Sequence, residues 1–485
     1  MRPKIFLLDQ PLLERIVQEA FDVLSRVGVS VENQQAAALL QDAGCPMHNQ
    51  RLLFPQTLVE RALYSAPSSI QIYDRSGSLS MDLSDDHIHF DPGSSALRIL
   101  DWPAEQERKP TTADLVRLAR LTDGLVHLAA QSTGLVCVDV PQQIVDRYRL
   151  YIALLHSAKP IVTGTFTIAG FKYMYEMLVA VRGSVEALRR KPLAIFDCCP
   201  SPPLKWSNVT CQALLDCSRA GIPVELVSMP LAGATAPATL AGSLVQHTAE
   251  TLSGVVISQL AAAGAPIIYG GSPVAMDPRT GTTPMGAIET MMIECGYVQI
   301  GKYFNLPTHA YMALTDAKVL DAQSGLEAAT GAVLAGLAGV NVISGPGMMD
   351  FENCLSLEKL IIDHELCGMI HRLVQGIEPR GELLSADLYG DLQAGDHFFV
   401  SETTLKYLRQ EMLVPSDVID RDPYEVRQRK AERTIGERAH RAVKERLQRP
   451  LSDPLPAVLA EELHQIMSSQ ALQAGLTSLP DSSWS

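Results

Sequence analysis

Many short catalytic signatures are missing from this sequence. It has no HExxH, no phosphate-cradling Walker loop, no GxSxG, and no GxGxxG after an apolar run. The usual marks of zinc proteases, P-loop enzymes, serine hydrolases and dinucleotide-binding domains are therefore absent. Its nine cysteines form no CxxC pair and follow no regular spacing. That argues against a cysteine zinc site and a disulfide framework, and fits a reduced, cytoplasmic protein. Basic residues are outnumbered, 40 against 54 acidic, for a net charge of −14. Such a balance argues against nucleic acid or an anionic membrane surface as partner. The basic run Arg427–Arg449 is interleaved with Glu and reads as a solvated helix face. The N-terminus carries charges through its first turns, so no signal peptide is expected. Two charge-free runs, Thr251–Met276 and Ala328–Met349, match a membrane span in length, but Gly with Pro or Asn interrupts each near its middle. A buried helix followed by a buried strand is expected in both.

What the chain does have is a large apolar fraction, 47% of 485 residues, and a repeating pattern. Short apolar runs lead into loops of Gly, Pro and small polar residues, and each loop precedes a segment of helical periodicity. Expected strands are Val126–Ser132, Pro160–Phe166, Leu193–Cys199, Pro223–Met229, Pro266–Gly271, Pro307–Leu314 and Val340–Ser344, with His397–Ser401 as an eighth. A buried parallel strand gives a continuous apolar run, and its crossover helix needs a dozen or more residues. The expected fold class is α/β, a (β/α)8 TIM-type barrel over residues 111–401. Residues 1–110 should form an N-terminal helical and small antiparallel β extension, and 402–485 a C-terminal helical tail. An open doubly wound sheet is the alternative.

In either fold the working groups lie just beyond the strands. Those positions offer Gln131, Ser132, Thr163, Thr165, Asp197, Cys198, Ser228, Tyr269, Ser272, His309, Tyr311, Thr315, Asp316 and Ser344. The set is poor in general acids and bases. The loop Ser272–Thr283 is long and carries Arg279, which suits a lid or a binding loop. His87, His89 and Asp91 alternate along a predicted surface hairpin, and the reading there is no metal site. Composition and pattern by themselves reach a barrel, an enzyme of open chemistry.

Three stretches add more: YGGSPVAMDPRTGTTPMGAIE, LPTHAYMALTDAKVLDAQSGLEA and AGVNVISGPGMMDFENCLSLEKLIIDHEL. Together with the tail HFFVSETTLKYLRQEMLVPSDVIDR, they resemble the trimethylamine methyltransferase family of corrinoid-dependent methyltransferases. Founding members of that family carry pyrrolysine. This chain has only standard residues, so it resembles the pyrrolysine-free branch, some of whose members demethylate glycine betaine or related quaternary amines. The resemblance implies methyl transfer from such an amine to the cob(I)alamin of a cognate corrinoid protein, with no cofactor bound tightly to this chain. It also implies a homo-oligomer. On that reading Tyr269, Tyr311, Phe166 and Phe196 would supply aromatic faces for a cation, and Asp197 or Asp316 a counter-charge. His309 joins the binding set, and a betaine carboxylate would take Arg279 or Lys318. Competing readings are a lyase or isomerase acting on a small acid, with Asp197 or His309 as base, and a non-catalytic betaine-binding protein.

Overall fold

A computed structural model describes residues 2–104, 106–381, 389–390, 397–428 and 430–484. Eight short parallel strands are each followed by a helix. The strands are β1 (His89–Asp91), β2 (Gln131–Ser132), β3 (Ile161–Thr163), β4 (Ala194–Cys198), β5 (Val224–Ser228), β6 (Ile267–Gly271), β7 (His309–Tyr311) and β8 (Val342–Ser344). The helices are α1 (Thr112–Asp123), α2 (Val145–His156), α3 (Gly170–Arg182), α4 (Asn208–Ala220), α5 (Leu240–Ala261), α6 (Ile288–Tyr303), α7 (Ala322–Ala338) and α8 (Leu357–Gln375). One sheet has the order β6-β5-β4-β3-β2 and a second the order β7-β8-β1. Tyr269 bridges to Thr308 between β6 and β7, and the Ala129 N–H donates to the Phe90 carbonyl at 2.7 Å between β1 and β2.

Seven of the eight expected strands are present, shorter than their apolar runs. The eighth is not where the sequence pattern put it. His397–Ser401 is no strand; Phe398–Val400 makes a single 3-10 turn. The eighth parallel strand comes first in the chain: His89–Asp91 pairs in parallel with Val342–Ser344. Its HIHFD alternation looked like an exposed hairpin, yet Phe90 and Asp91 are fully buried. Both charge-free runs resolve as expected, α5 stopping at Ala261 before β6 and α7 at Ala338 before β8. No described helix is long and apolar enough to cross a membrane. All nine cysteines are free thiols.

Local sequence explains the element ends. Thr111 caps α1, and Asp114 three positions on completes a capping box. Gly221 and Gly339 take the left-handed conformation that ends α4 and α7. The N-terminal helices Gln10–Arg26 and Gln56–Ser65 pack on α5.

The hairpin Gln71–Tyr73/Leu79–Asp82 has a different job. Its Ile72 and Met81 join Ala130, Val162, Ile195, Ile268 and Val342, residues at the strands' N-terminal ends, in one apolar cluster. The hairpin thereby plugs that end of the array. Truncating a fully buried Ile or Met to Ala costs about 2–5 kcal/mol. Met81→Ala should therefore lower the thermal midpoint by several degrees in calorimetry. An unchanged midpoint would show that the plug is not packed as described.

Candidate active site

Alternation along β4 sends Ile195 and Asp197 to one face and Phe196 to the other. Phe196 is fully buried against Phe171 of α3, with ring centroids 5.7 Å apart. Asp197 is partly accessible at the carboxyl end of the strands. The parallel register places Glu225 of β5 directly beside it. Glu225 is fully buried, and neither of its oxygens meets an N–H or hydroxyl donor. Two carboxyls in this position satisfy each other by sharing a proton. Burial first, then the Asp197 charge, hold Glu225 well above the carboxylate range, so it keeps the proton. Burial also pushes Asp197 up to about 6, opposed by the Glu225 hydrogen bond and by Arg149.

The acidic cluster continues around the array. His309 Nε2 lies 3.6 Å from Glu225 Oε2 and 3.1 Å from Ser344 Oγ. Ser344 donates to Asp91 Oδ1 at 2.7 Å, so its oxygen is left to accept from the imidazole. That assigns the proton to Nε2 and leaves Nδ1 without a partner. Burial pulls His309 down to about 3, making it a neutral donor. Gly270 makes room for the ring: a Cβ there would stand 2.9 Å from His309 Nδ1. Asp91 is fully buried with Oδ2 unpartnered, and burial raises it well above its ordinary range. Tyr311, two residues along β7 from His309, shares a 2.9 Å hydrogen bond with Ser94.

A fourth carboxyl arrives from outside the strands. The hairpin Met348–Met349/Cys354–Leu355 turns through Asp350, Phe351 and Glu352, all left-handed with φ of 49°, 57° and 65°. Left-handed backbone costs a non-glycine residue roughly 1–2 kcal/mol, so the turn needs support. Lys318 supplies it, with Nζ 3.2 Å from Asp350 and 3.8 Å over the Phe351 ring. The turn delivers Glu352 to the Ser94 N–H at 3.3 Å. Burial, reinforced by Asp197 and Asp91, pushes Glu352 up to about 8.

Against these four acids stands one buried cation. Arg149 of α2 donates to the Thr133 carbonyl and to Ser95 Oγ (3.0 Å), and its guanidinium lies 5.0 Å over the Phe166 ring. Its hydrogen bonds go to neutral acceptors, and burial lowers it to about 10.

Of the residues expected from sequence, Asp197, His309, Tyr311 and Ser344 therefore meet in this cluster, and Phe166, 40% exposed, sits at its rim. Five others are placed differently. Tyr269 is on the outer face of β6, bonded to Thr248 of α5 and packed beside His247 and Tyr297. Phe196 also faces the helices. Arg279 is exposed on its loop and bound to Asp277 at 2.7 Å. Asp316 accepts the Met285 and Gly286 N–H groups, both at 2.9 Å, and ties the loop before α6 to the segment after β7. Burial raises it to about 6. Lys318 is committed to the hairpin.

Glu225, Asp91, Glu352 and Arg149 also belong to this cluster, though none is among the binding candidates expected from sequence. A signal existed for Glu225, a lone acid inside the apolar run PVELV. Glu352 gave none, since its position depends on a turn that its residue types disfavour. Among the described residues no group of three or more His, Cys, Asp or Glu is arranged to hold a metal ion. A groove of about 590 Å³ lies at the opposite end of the strands, but none of its lining residues is an acid or a histidine. The buried acids and the histidine of this cluster gather at the carboxyl end.

A carboxyl raised in the folded state from its ordinary 4.5 to about 8 contributes stability below the lower value and loses it as pH rises through the upper. Glu352→Gln should therefore raise the thermal midpoint relative to wild type, with a gap that widens from about pH 5 to about pH 8.5. A gap constant across that range would show that Glu352 is not held protonated.

Comparison with known proteins agrees with the stretches singled out above. The family model for trimethylamine methyltransferase (MTTB) matches residues 1–474. Trimethylamine methyltransferase MttB of Desulfitobacterium hafniense is 30% identical over 411 residues, 84% of this chain and 82% of that protein. A glycine betaine methyltransferase of the same species is 26% identical, over 87% and 88% of the two chains. The crystal structure of Methanosarcina barkeri monomethylamine methyltransferase (MtmB) covers 90% of this chain and 88% of its own, at 11% identity and a TM-score of 0.49, too slight a likeness to argue from. With its family model matched over nearly the whole length, the chain belongs to the trimethylamine methyltransferase family.

Proposed function

We propose that this protein transfers a methyl group from a quaternary amine to the cob(I)alamin of a cognate corrinoid protein, and that its eight strands close into a (β/α)8 barrel whose carboxyl end is the active site. The bridges between β6 and β7 and between β1 and β2 support closure. One observation carries the function: Asp91, Asp197, Glu225 and Glu352 converge on that end with a single guanidinium among them. A permanent cation is the ligand that such a cluster lacks. Membership of the family, alongside relatives named for trimethylamine and for glycine betaine, supports the same class.

The chain's own residues would act chiefly by binding and orientation. Asp197 supplies charge at the partly open centre, and the Tyr311 and Phe166 rings border it. Cation–π attraction to a desolvated cation is worth about 2 kcal/mol. Arg149, bonded only to neutral groups, suits the carboxylate of a betaine. The earlier candidates for that role, Arg279 and Lys318, are already paired. Stripping water from the ammonium and fixing its methyl group toward the opening makes a bimolecular step effectively unimolecular.

The corrinoid, when docked, supplies the nucleophile. The C–N bond breaks with its electron pair staying on nitrogen, and a neutral tertiary amine leaves without needing a proton. No general acid is then required, which suits a site whose histidine is held neutral. The loops on this side expose Leu97, Val138, Phe166, Ile168 and Met229, an apolar rim that fits a macrocycle-bearing partner better than water. We place the protein in solution as a homo-oligomer, with no membrane or nucleic acid in its function.

The deciding experiment mixes the purified protein with a cob(I)alamin carrier and a panel of methylated amines, and follows the corrinoid absorbance. Conversion with one quaternary amine is expected; none with any amine, on folded protein, would overturn the reading. Asp197→Asn should raise KM at least about tenfold, the size of one lost charge interaction, while Tyr269→Phe leaves it unchanged. The reverse pattern would move the site to the helix layer.

A further inference from the structure

Glu352 differs from the other three acids in how it is held. It rides on a hairpin turn rather than a strand and is partly accessible. The groups acting on it come from every neighbouring element. Asp91 and Ser94 belong to β1 and its loop, and Asp197 and Cys199 to β4 and its end. Tyr311 is on β7, and Glu294 of α6 is fully buried with both oxygens unpartnered. Of these, only the Ser94 N–H favours a charge on Glu352; the rest are acids or groups that become negative. Neither Arg149 nor Lys318 pairs with Glu352: Arg149 donates to the Thr133 carbonyl and to Ser95 Oγ, and Lys318 faces Asp350 and Phe351. A carboxyl crowded by acids and served by no cation holds its proton until a cation arrives.

We propose that Glu352 is a specificity-determining residue that carries a proton while the site is empty and releases it to solvent when a permanent cation enters, so that cation binding and loss of one proton are a single event. The inference rests on the cation reading of the site and adds to it which residue answers the charge. The only bond broken is the Glu352 O–H, its electrons stay on the carboxylate, and the proton passes to buffer. Coupling of this kind is reciprocal: whatever factor deprotonation adds to cation affinity, the cation adds to the acidity of Glu352. A neutral molecule of the same shape draws no such gain, and the site would reject it for that reason.

The test is titration calorimetry of the full chain with tetramethylammonium chloride, a cation with no titratable group, in two buffers of different ionisation enthalpy. At about pH 7, wild type should release close to one proton per cation bound. Its Kd should tighten by up to about tenfold per pH unit and level off above about pH 8. Glu352→Gln should bind with well under half a proton released and a Kd flat with pH, while Glu352→Asp restores the release. Wild-type binding without proton release would overturn the proposal and leave the cation reading intact. Full release from Glu352→Gln would also overturn it and assign the proton to the Asp197–Glu225 pair. Failure of folded wild type to bind tetramethylammonium at all would overturn the cation reading and this proposal together.

Discussion

Carboxyl groups packed side by side away from water repel one another once charged, and the cheapest remedy is to keep protons on some of them. At the carboxyl end of this strand array that remedy is in use. Glu225 holds a proton beside Asp197, Asp91 leans on the Ser344 hydroxyl, and Glu352 is raised by burial and then by Asp197 and Asp91. Nearly everything else around the site serves this crowding. His309 is kept neutral, so it does not cancel the acids, and Gly270 leaves the space its ring needs. Arg149 is directed onto a carbonyl and a hydroxyl instead of being spent on a carboxylate. Under the proposed function, these arrangements favour a positively charged guest.

The scaffold that tolerates such a cluster is conventional. Short parallel strands under long, buried helices provide the rigidity, and α5 is buried along most of its 22 residues. Strand alternation assigns one set of side chains to the helix layer and the other to the interior. That single rule separates Phe196 from Asp197 and Tyr269 from Gly270. The strained element, the left-handed turn at Asp350–Glu352, lies outside this regular frame and is braced by Lys318. Strain at one functional loop on a rigid body is where backbone cost is usually found.

Legibility in the sequence follows the same division. Apolar runs and Pro- or Gly-marked helix ends showed seven strands and the helices after them, because those signals are local. The eighth strand escaped because HIHFD alternates polar and apolar residues like a surface hairpin, and its burial depends on pairing with Val342–Ser344, some 250 residues away in sequence. Strand-end position picks out His309, Tyr311 and Asp197, which the fold gathers in one cluster. It also picks out Tyr269 and Phe196, which face the helix layer, because position at a strand end does not say which face a residue takes. Glu352 and Arg149 reach the site from a turn and a helix, and only the folded chain brings them there.

In the proposed barrel, the hairpin that plugs the N-terminal ends of the strands leaves the carboxyl end as the way in. If amine, spent amine and corrinoid partner all use it, they have to take turns. The amine must enter before the partner docks, and the demethylated product is trapped until the partner withdraws. Turnover would then follow a compulsory order, with the lifetime of the docked complex as its clock.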